Sequence, residues 1–337
     1  MTQVTLKQVA DQAGVSVQTV SNVINGTGRV SPQTRERVTK IMEALQYTPN
    51  YAARALRKAR TQTLAFVLQD PIYTTIPNMY LGQIVPRVAH AIREAGFDAQ
   101  VMFESKPGLD VALSAHHKGL CDGVILYSSL ITDDDITEAA SKNLPLVLIE
   151  HIAPPRTLPT VWANYAEGIE QAVHHVHQMG ARRIAYLDGV PHHHNTSSEA
   201  RYTGYQRAMS QLSSTSPMLI YGGNWTFEAG IQAFDFFQAL PEKPDAIVCA
   251  NDNMALGVIH RATTSGLKVP NDLMVTGFDD FEYARYSTPS LTSLRLPLED
   301  MAKAAVELLI SRIENEEAPV ESRLFPITLN IRNSTRK

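Results

Sequence analysis

Residues 14–38 read GVSVQTVSNVINGTGRVSPQTRERV, a run of short hydroxyl, amide and aliphatic side chains punctuated by arginines. Just upstream, Thr5 stands three residues before Gln8, the spacing of a capping box. Leu6, Val9, Ala10 and Ala13 then keep helical spacing until Gly14. Ser16 can cap a second helix whose inward face takes Val23, Ile24 and either Val17 or Val20, leaving Gln18, Thr19, Ser21 and Asn22 to point elsewhere. Ser31-Pro32 is a cap followed by proline at the first helical position, and Val38, Ile41, Met42 and Leu45 form the stripe of a third helix. A short glycine-bearing turn between the first two helices is the pattern of a helix-turn-helix. The outward residues of the second helix are types that hydrogen-bond base edges, while the arginines and Lys40 can hold phosphates.

A small helical bundle with a merely solvated polar face is the bland alternative, and the caps, the polar second helix and the charge asymmetry together decide against it. Residues 1–60 hold nine basic groups (Lys7, Arg29, Arg35, Arg37, Lys40, Arg54, Arg57, Lys58, Arg60) against three acids (Asp11, Glu36, Glu43), a balance of +6. The chain as a whole carries -4, so the remainder carries -10. A basic arm on an acidic body implies a polyanionic partner at one end only.

The 337 residues, 44% of them hydrophobic, suffice for two or three domains. No apolar run approaches the roughly 20 residues needed to span a bilayer, and MTQVTLKQVA lacks the pattern of a secretory signal, so a cytoplasmic protein without membrane partners is expected. Two cysteines, Cys121 and Cys249, support neither a disulfide framework nor a zinc site. In residues 49–60, PNYAARALRKAR, Asn50 can cap a helix through Leu56 that is too short to stand alone in water. The residues themselves leave two readings open: a segment that folds on DNA and wedges a leucine into the minor groove, or a basic linker.

The stretch TLKQVADQAGVSVQTVSNVINGTGRVSPQTRERVTKIMEALQYTPNYAARAL resembles the headpiece and hinge helix of the LacI/GalR repressor family. The resemblance implies that Val17, Gln18 and Asn22 read the major groove, that Leu56 enters the minor groove at the operator centre, and that Ala53 supports the hinge. The DNA-facing set is completed by Thr5, Ser16, Thr19, Ser21 and Asn25 in the first two helices, Arg29, Val30 and Thr34 after them, and Asn50 at the hinge. Many members carry arginine where this chain has Asn22, which implies a changed base preference there.

Beyond residue 60, short apolar runs alternate with amphipathic stretches: LAFVLQ at 64–69, AQVMFES from 99, GVILYS at 123–128, LPLVLIE at 144–150, RIAYLDG at 183–189, AIVCAND from 246 and MVTGFDD from 274. Such alternation predicts parallel sheets covered by helices, with ligands beyond the C-terminal strand ends. Asp70, Tyr127, Glu150, Asn251, Asp252, Asp279 and Asp280 stand at those ends.

This body resembles the family's periplasmic-binding-protein-like core, through the closing LNIRNSTRK. The expected fold is an all-α helix-turn-helix headpiece plus an α/β core of two doubly wound parallel-sheet subdomains. The expected limits are a headpiece at 1–48, a hinge at 49–60 and an effector-binding, dimerising core at 61–337. Within that core, 61–162 with 291–320 form one subdomain and 163–290 with 321–334 the other.

The blocks SEARYTGYQRAM, CANDNMALGVI and VTGFDDFEYARYSTPSLTSLR carry the implied site. Arg201 and Asp279 should hydrogen-bond effector hydroxyls or a carboxylate, Asn251 should add an amide contact, and Trp225 should stack on the ligand. Asn78, Gly82 and Ser197 belong to the same implied set, and Tyr127 and Glu150 fall where members vary. Taken singly, Asp279 and Asn251 could be ordinary caps and Trp225 ordinary core.

His192-His193-His194 and the helical His174, His175 and His177 lack the companions of a recognised metal motif, so no metal or other cofactor is expected. GTGRVS joins two helices rather than following a strand, and no P-loop, HExxH or GxSxG occurs, so no enzyme is expected. The expectation is a repressor of carbohydrate-utilisation genes that binds double-stranded operator DNA as a homodimer and is released by a small sugar effector. A purine or corepressor response, or a cytoplasmic sugar-binding sensor or enzyme with an incidental basic arm, are the alternatives.

Overall fold

The computed structural model describes residues 4–25, 28–47, 60–69, 79–106, 108–128, 131–151, 157–189, 196–212, 219–315 and 317–336. The chain divides into two units, Met1–Thr61 and Gln62–Lys337. Asn50, Ala53, Leu56, Asp70, Asn78 and His192-His193-His194 lie outside the described residues, as does the side chain of Asn25.

The first unit holds α1 (Leu6–Ala13), α2 (Val17–Asn25) and α3 (Pro32–Ala44). Thr5 and Gln8 close a reciprocal capping box, Gly14 ends α1 in the left-handed region (φ 60°), and Ser31 caps α3 by accepting from the Thr34 amide. The side chains meet in a core of Val9, Ala10, Ala13, Val20, Val23 and Val38. Val20 is the inward residue of α2, and Val17 is exposed.

The second unit runs β1 (Thr63–Gln69), α4 (Met79–Glu94), β2 (Asp98–Glu104), α5 (Leu109–Ala112), α6 (Ser114–His117), β3 (Gly123–Ser128), α7 (Asp133–Ser141), β4 (Leu146–Ile149) and β5 (Thr160–Ala163). It continues through α8 (Tyr165–Gln178), β6 (Ile184–Asp188), α9 (Thr196–Gln211), β7 (Leu219–Gly222), α10 (Phe227–Gln238), β8 (Ala246–Cys249), α11 (Asp252–Thr264) and β9 (Met274–Asp279). It closes with α12 (Glu282–Tyr286), β10 (Thr292–Arg295), α13 (Leu298–Glu314), β11 (Ser322–Phe325) and β12 (Thr328–Asn330). The interiors of the central strands are apolar, as parallel strands buried on both faces must be, and their polar residues stand at the strand ends. They form two six-stranded sheets, ordered β11-β5-β4-β3-β1-β2 and β12-β10-β9-β8-β6-β7, each the spine of one lobe.

Pairing moves two of the limits expected from sequence. β10 pairs in parallel with β9, so residues 292–295 belong to the second sheet rather than the first. β11 pairs in parallel with β5, so 322–325 belong to the first sheet rather than the second. The chain therefore passes between lobes after β5, after β10 and after β11, while α13 packs on α4, β3 and β4 of the first lobe. β12 runs antiparallel to β10, so the second sheet is not wholly parallel. No helix among the described residues is long and apolar enough to cross a membrane.

Candidate functional site

In the first unit, α2 presents Gln18 on its exposed face, where the Gln18 Nε2 donates to Asn22 Oδ1 at 3.0 Å. The pair holds both amides in one orientation, with hydrogen-bonding capacity left over for a base edge. The Ser16 hydroxyl accepts the Thr19 amide at 3.0 Å, and the Arg35 guanidinium donates to the Val23 carbonyl at 3.4 Å, tying α3 to the end of α2. Thr5, Ser16 and Thr34 thus serve the helix termini. Arg29 is exposed, Ser21 is half-buried, and Val30 packs against the small core.

In the second unit the site forms around Arg201 on α9. Its guanidinium carbon lies 4.3 Å from the ring centres of both Tyr165 and Phe278 and 5.3 Å from that of Trp225. Its Nη1 donates to Ser197 Oγ at 2.9 Å and its Nη2 lies 4.0 Å from Asp279 Oδ1. The buried Nε has no hydrogen-bond partner among the described residues. An arginine with its faces covered and an N–H edge left over is poised to receive a ligand oxygen.

Glu150, directly after β4, reaches this cluster from the first lobe. Its carboxylate accepts from Tyr80 at 2.8 Å and from Tyr165, the first residue of α8 in the second lobe. Tyr127 joins through Tyr80, their ring centres 5.9 Å apart. Burial lifts the pKa of Glu150 to about 7, against the lowering pull of the Tyr80 hydrogen bond and the Arg201 charge. Burial likewise lifts Asp279 to about 7, with Arg201 pulling down and Glu150 pushing up. Glu150, Trp225 and Asp279 all have positive φ, at 62°, 69° and 99°. Such backbone costs about 1–3 kcal/mol per residue and concentrates where a site must be held in one shape.

Asn251 caps α11 by accepting from the Met254 amide, and its Nδ2 donates to the Trp225 carbonyl at 3.0 Å. Its amide therefore fixes the Trp225 turn. Gly82 is exposed on α4. Two strand-end acids are structural instead. Asp252 is fully buried, accepting from the Phe281 amide and from Ser293, and Asp280 pairs with Arg295 and Arg332. Of the helical histidines, His175 is the buried one, with Nε2 2.8 Å from the Thr335 hydroxyl. No group of three or more metal-capable side chains gathers among the described residues. Tyr80, Tyr165 and Phe278 escape a sequence reading, because tyrosine after a cap and phenylalanine inside a strand are ordinary core residues until the lobes are brought together.

The model for bacterial regulatory proteins of the lacI family matches residues 5–50, and that for a periplasmic binding protein-like domain matches residues 173–335. The chain is 31% identical to catabolite control protein A of Priestia megaterium over 99% of each chain. The chain belongs to the lacI family. It is also 30% identical to the transcriptional repressor CytR of Escherichia coli, over 99% of this chain and 97% of that one. Among solved structures it matches the lac repressor dimer bound to operator and the anti-inducer ONPF, with TM-score 0.84, 27% identity and 99% of each chain covered. The CelR–cellobiose complex matches with TM-score 0.71 and 29% identity, over 98% of this chain and 100% of that one. As a lacI-family member the chain is a DNA-binding transcriptional regulator.

Proposed function

We propose that this regulator is a cytoplasmic homodimeric repressor that binds a pseudo-palindromic operator and leaves it when a small sugar occupies the cleft between its lobes. The Arg201 cluster carries the reading: a guanidinium edge, two carboxylates and the Trp225 ring suit a ligand with hydroxylated edges and an apolar face. Related structures hold cellobiose and ONPF, and one relative is an operator-bound dimer. Two-fold symmetry supplies two half-sites, since one headpiece makes too few contacts for useful specificity. Val17, Gln18 and Asn22 read bases, Ala53 and Leu56 act at the operator centre, and sugar binding shifts one lobe of each protomer so that Leu56 loses the minor groove. The protein is a binder with no catalytic step.

Operator selection from random DNA, repeated with a panel of sugars, tests this. A palindrome released by one sugar supports it. A palindrome bound more tightly with ligand makes the ligand a corepressor, and no palindrome even at low salt would return the protein to the sensor or enzyme class. Linkage adds a second check, because effector must bind free protein more tightly than operator-bound protein by the factor with which it weakens DNA binding.

A further inference from the structure

Each of the three passages between the lobes is short. Asn164 alone separates β5 from α8, Leu296-Pro297 separates β10 from α13, and Pro326-Ile327 separates β11 from β12. Two of the passages are tied together, because the Asn164 amide donates to the Phe325 carbonyl at 2.9 Å and Gln171 Nε2 donates to the Ile327 carbonyl at 3.3 Å. With so few residues to absorb a change of backbone angle, the angle between the lobes depends on what grips the strand ends beside them.

Asp280 supplies that grip on the second-lobe side. Its Oδ2 accepts from Arg295 Nε at 2.8 Å and from Asn330 Nδ2 at 2.8 Å, with Arg295 Nη2 at 2.6 Å, while its Oδ1 lies 2.6 Å from Arg332 Nη2. Arg295 ends β10, directly before Leu296-Pro297, and Asn330 ends β12, which starts directly after Pro326-Ile327. Arg295 stands opposite Thr328 in the β10–β12 ladder, so both passages leave the sheet at one place. The acid is itself pinned: its φ is 52°, its amide donates to Ser293 Oγ at 3.0 Å, and the next amide, of Phe281, donates to Asp252 Oδ2 at 2.9 Å. Its side chain is fully buried, whereas that of Arg295 is 44% exposed, so the arginine can be exchanged without opening a core.

Resting on the reading of the chain as an operator-binding repressor, we propose that Asp280 and Arg295 form a latch that holds the two lobes in the arrangement that binds operator. Arg295 is thereby a positioning residue for DNA binding, acting through the lobes rather than by touching DNA. Cutting its arm of the latch frees the β10 passage, lets the lobes sample other arrangements and lowers operator affinity by the fraction of competent protein that is lost.

The probe is a duplex carrying the palindrome that the parent protein selects from random DNA, titrated by fluorescence anisotropy with the full chain and no sugar added. Arg295→Gln is expected to bind it at least about fivefold more weakly, with the same salt dependence because the phosphate contacts are kept. In an Asp280→Asn background the same exchange is expected to cost less than about twofold. A merely structural ion pair would lower the urea midpoint and spare the operator affinity of the folded protein. That smaller loss overturns the latch and leaves the repressor reading standing. A shallower salt dependence, or a full further loss in the Asp280→Asn background, also overturns the latch. If the parent selects no palindrome, the repressor reading and the latch fall together.

Discussion

A Cβ placed on Gly189 would lie 2.1 Å from Cζ2 of Trp225. The indole therefore occupies the volume that any other residue at 189 would fill. It is held there by its own left-handed backbone and by the amides of Asn251 and Asn253, which donate to its carbonyl at 3.0 and 3.2 Å. Gly189→Ala is expected to expel the ring from beside Arg201 and weaken effector binding by at least about tenfold, the scale of a lost aromatic contact plus displaced neighbours. Titration calorimetry measures it. Unchanged affinity would mean that Trp225 does not stack on the ligand.

The tail of the chain is locked by one buried acid. Asp280 has a fully buried side chain that pairs at 2.6 Å with Arg295 and at 2.6 Å with Arg332, and accepts from Asn330 at 2.8 Å. Asp280→Ala leaves the largely buried Arg332 without its anion, at a cost of about 3 kcal/mol in the second lobe. Chemical denaturation should show the loss. A change within about 0.5 kcal/mol would assign the clamp to solvent-screened contacts.

At Glu150 and Asp279, acid favours the folded, ligand-free core. The pKa values of Glu150 and Asp279 stand at about 7, above their ordinary values of 4.5 and 3.8, so the folded protein holds protons that the unfolded chain would release. Their contribution to stability is full below about pH 4 and is lost as pH rises through about 7. Between about pH 5 and 8 the melting temperature of Glu150→Gln should fall less than that of the parent, as read by scanning calorimetry. A hydroxylated effector that donates to these carboxylates favours their ionised forms, so its affinity should rise over the same interval.

Asn22 is expected to change what the headpiece reads. Its Oδ1 accepts from Gln18, so the two amides act as one unit on the exposed face of α2. Asn22→Arg should move the selected half-site base toward guanine, with discrimination of about 1–3 kcal/mol for a bidentate contact. Selection from random DNA by both proteins measures it. Identical half-sites would remove residue 22 from base readout.

The sequence alone determined the local structure. The capping box at Thr5, the left-handed stop at Gly14 and the Ser31-Pro32 start are decided within four residues, and the apolar runs of β1, β3, β4 and β8 follow from burial on both faces. Resemblance brought Arg201, Trp225, Asn251 and Asp279 into one expected site. Tertiary structure decided the rest, because strand exchange and charge balance depend on partners distant in sequence. Residues 292–295 and 322–325 are four-residue segments whose sheet is fixed by pairing with β9 and β5, and no periodicity announces that choice. Glu150 becomes part of the site only because β4 ends where Tyr165 of the other lobe begins α8. Asp280 and Asp279 are neighbours with the same chemistry, and burial against Arg295 and Arg332 makes one a clamp while Arg201 makes the other part of a site.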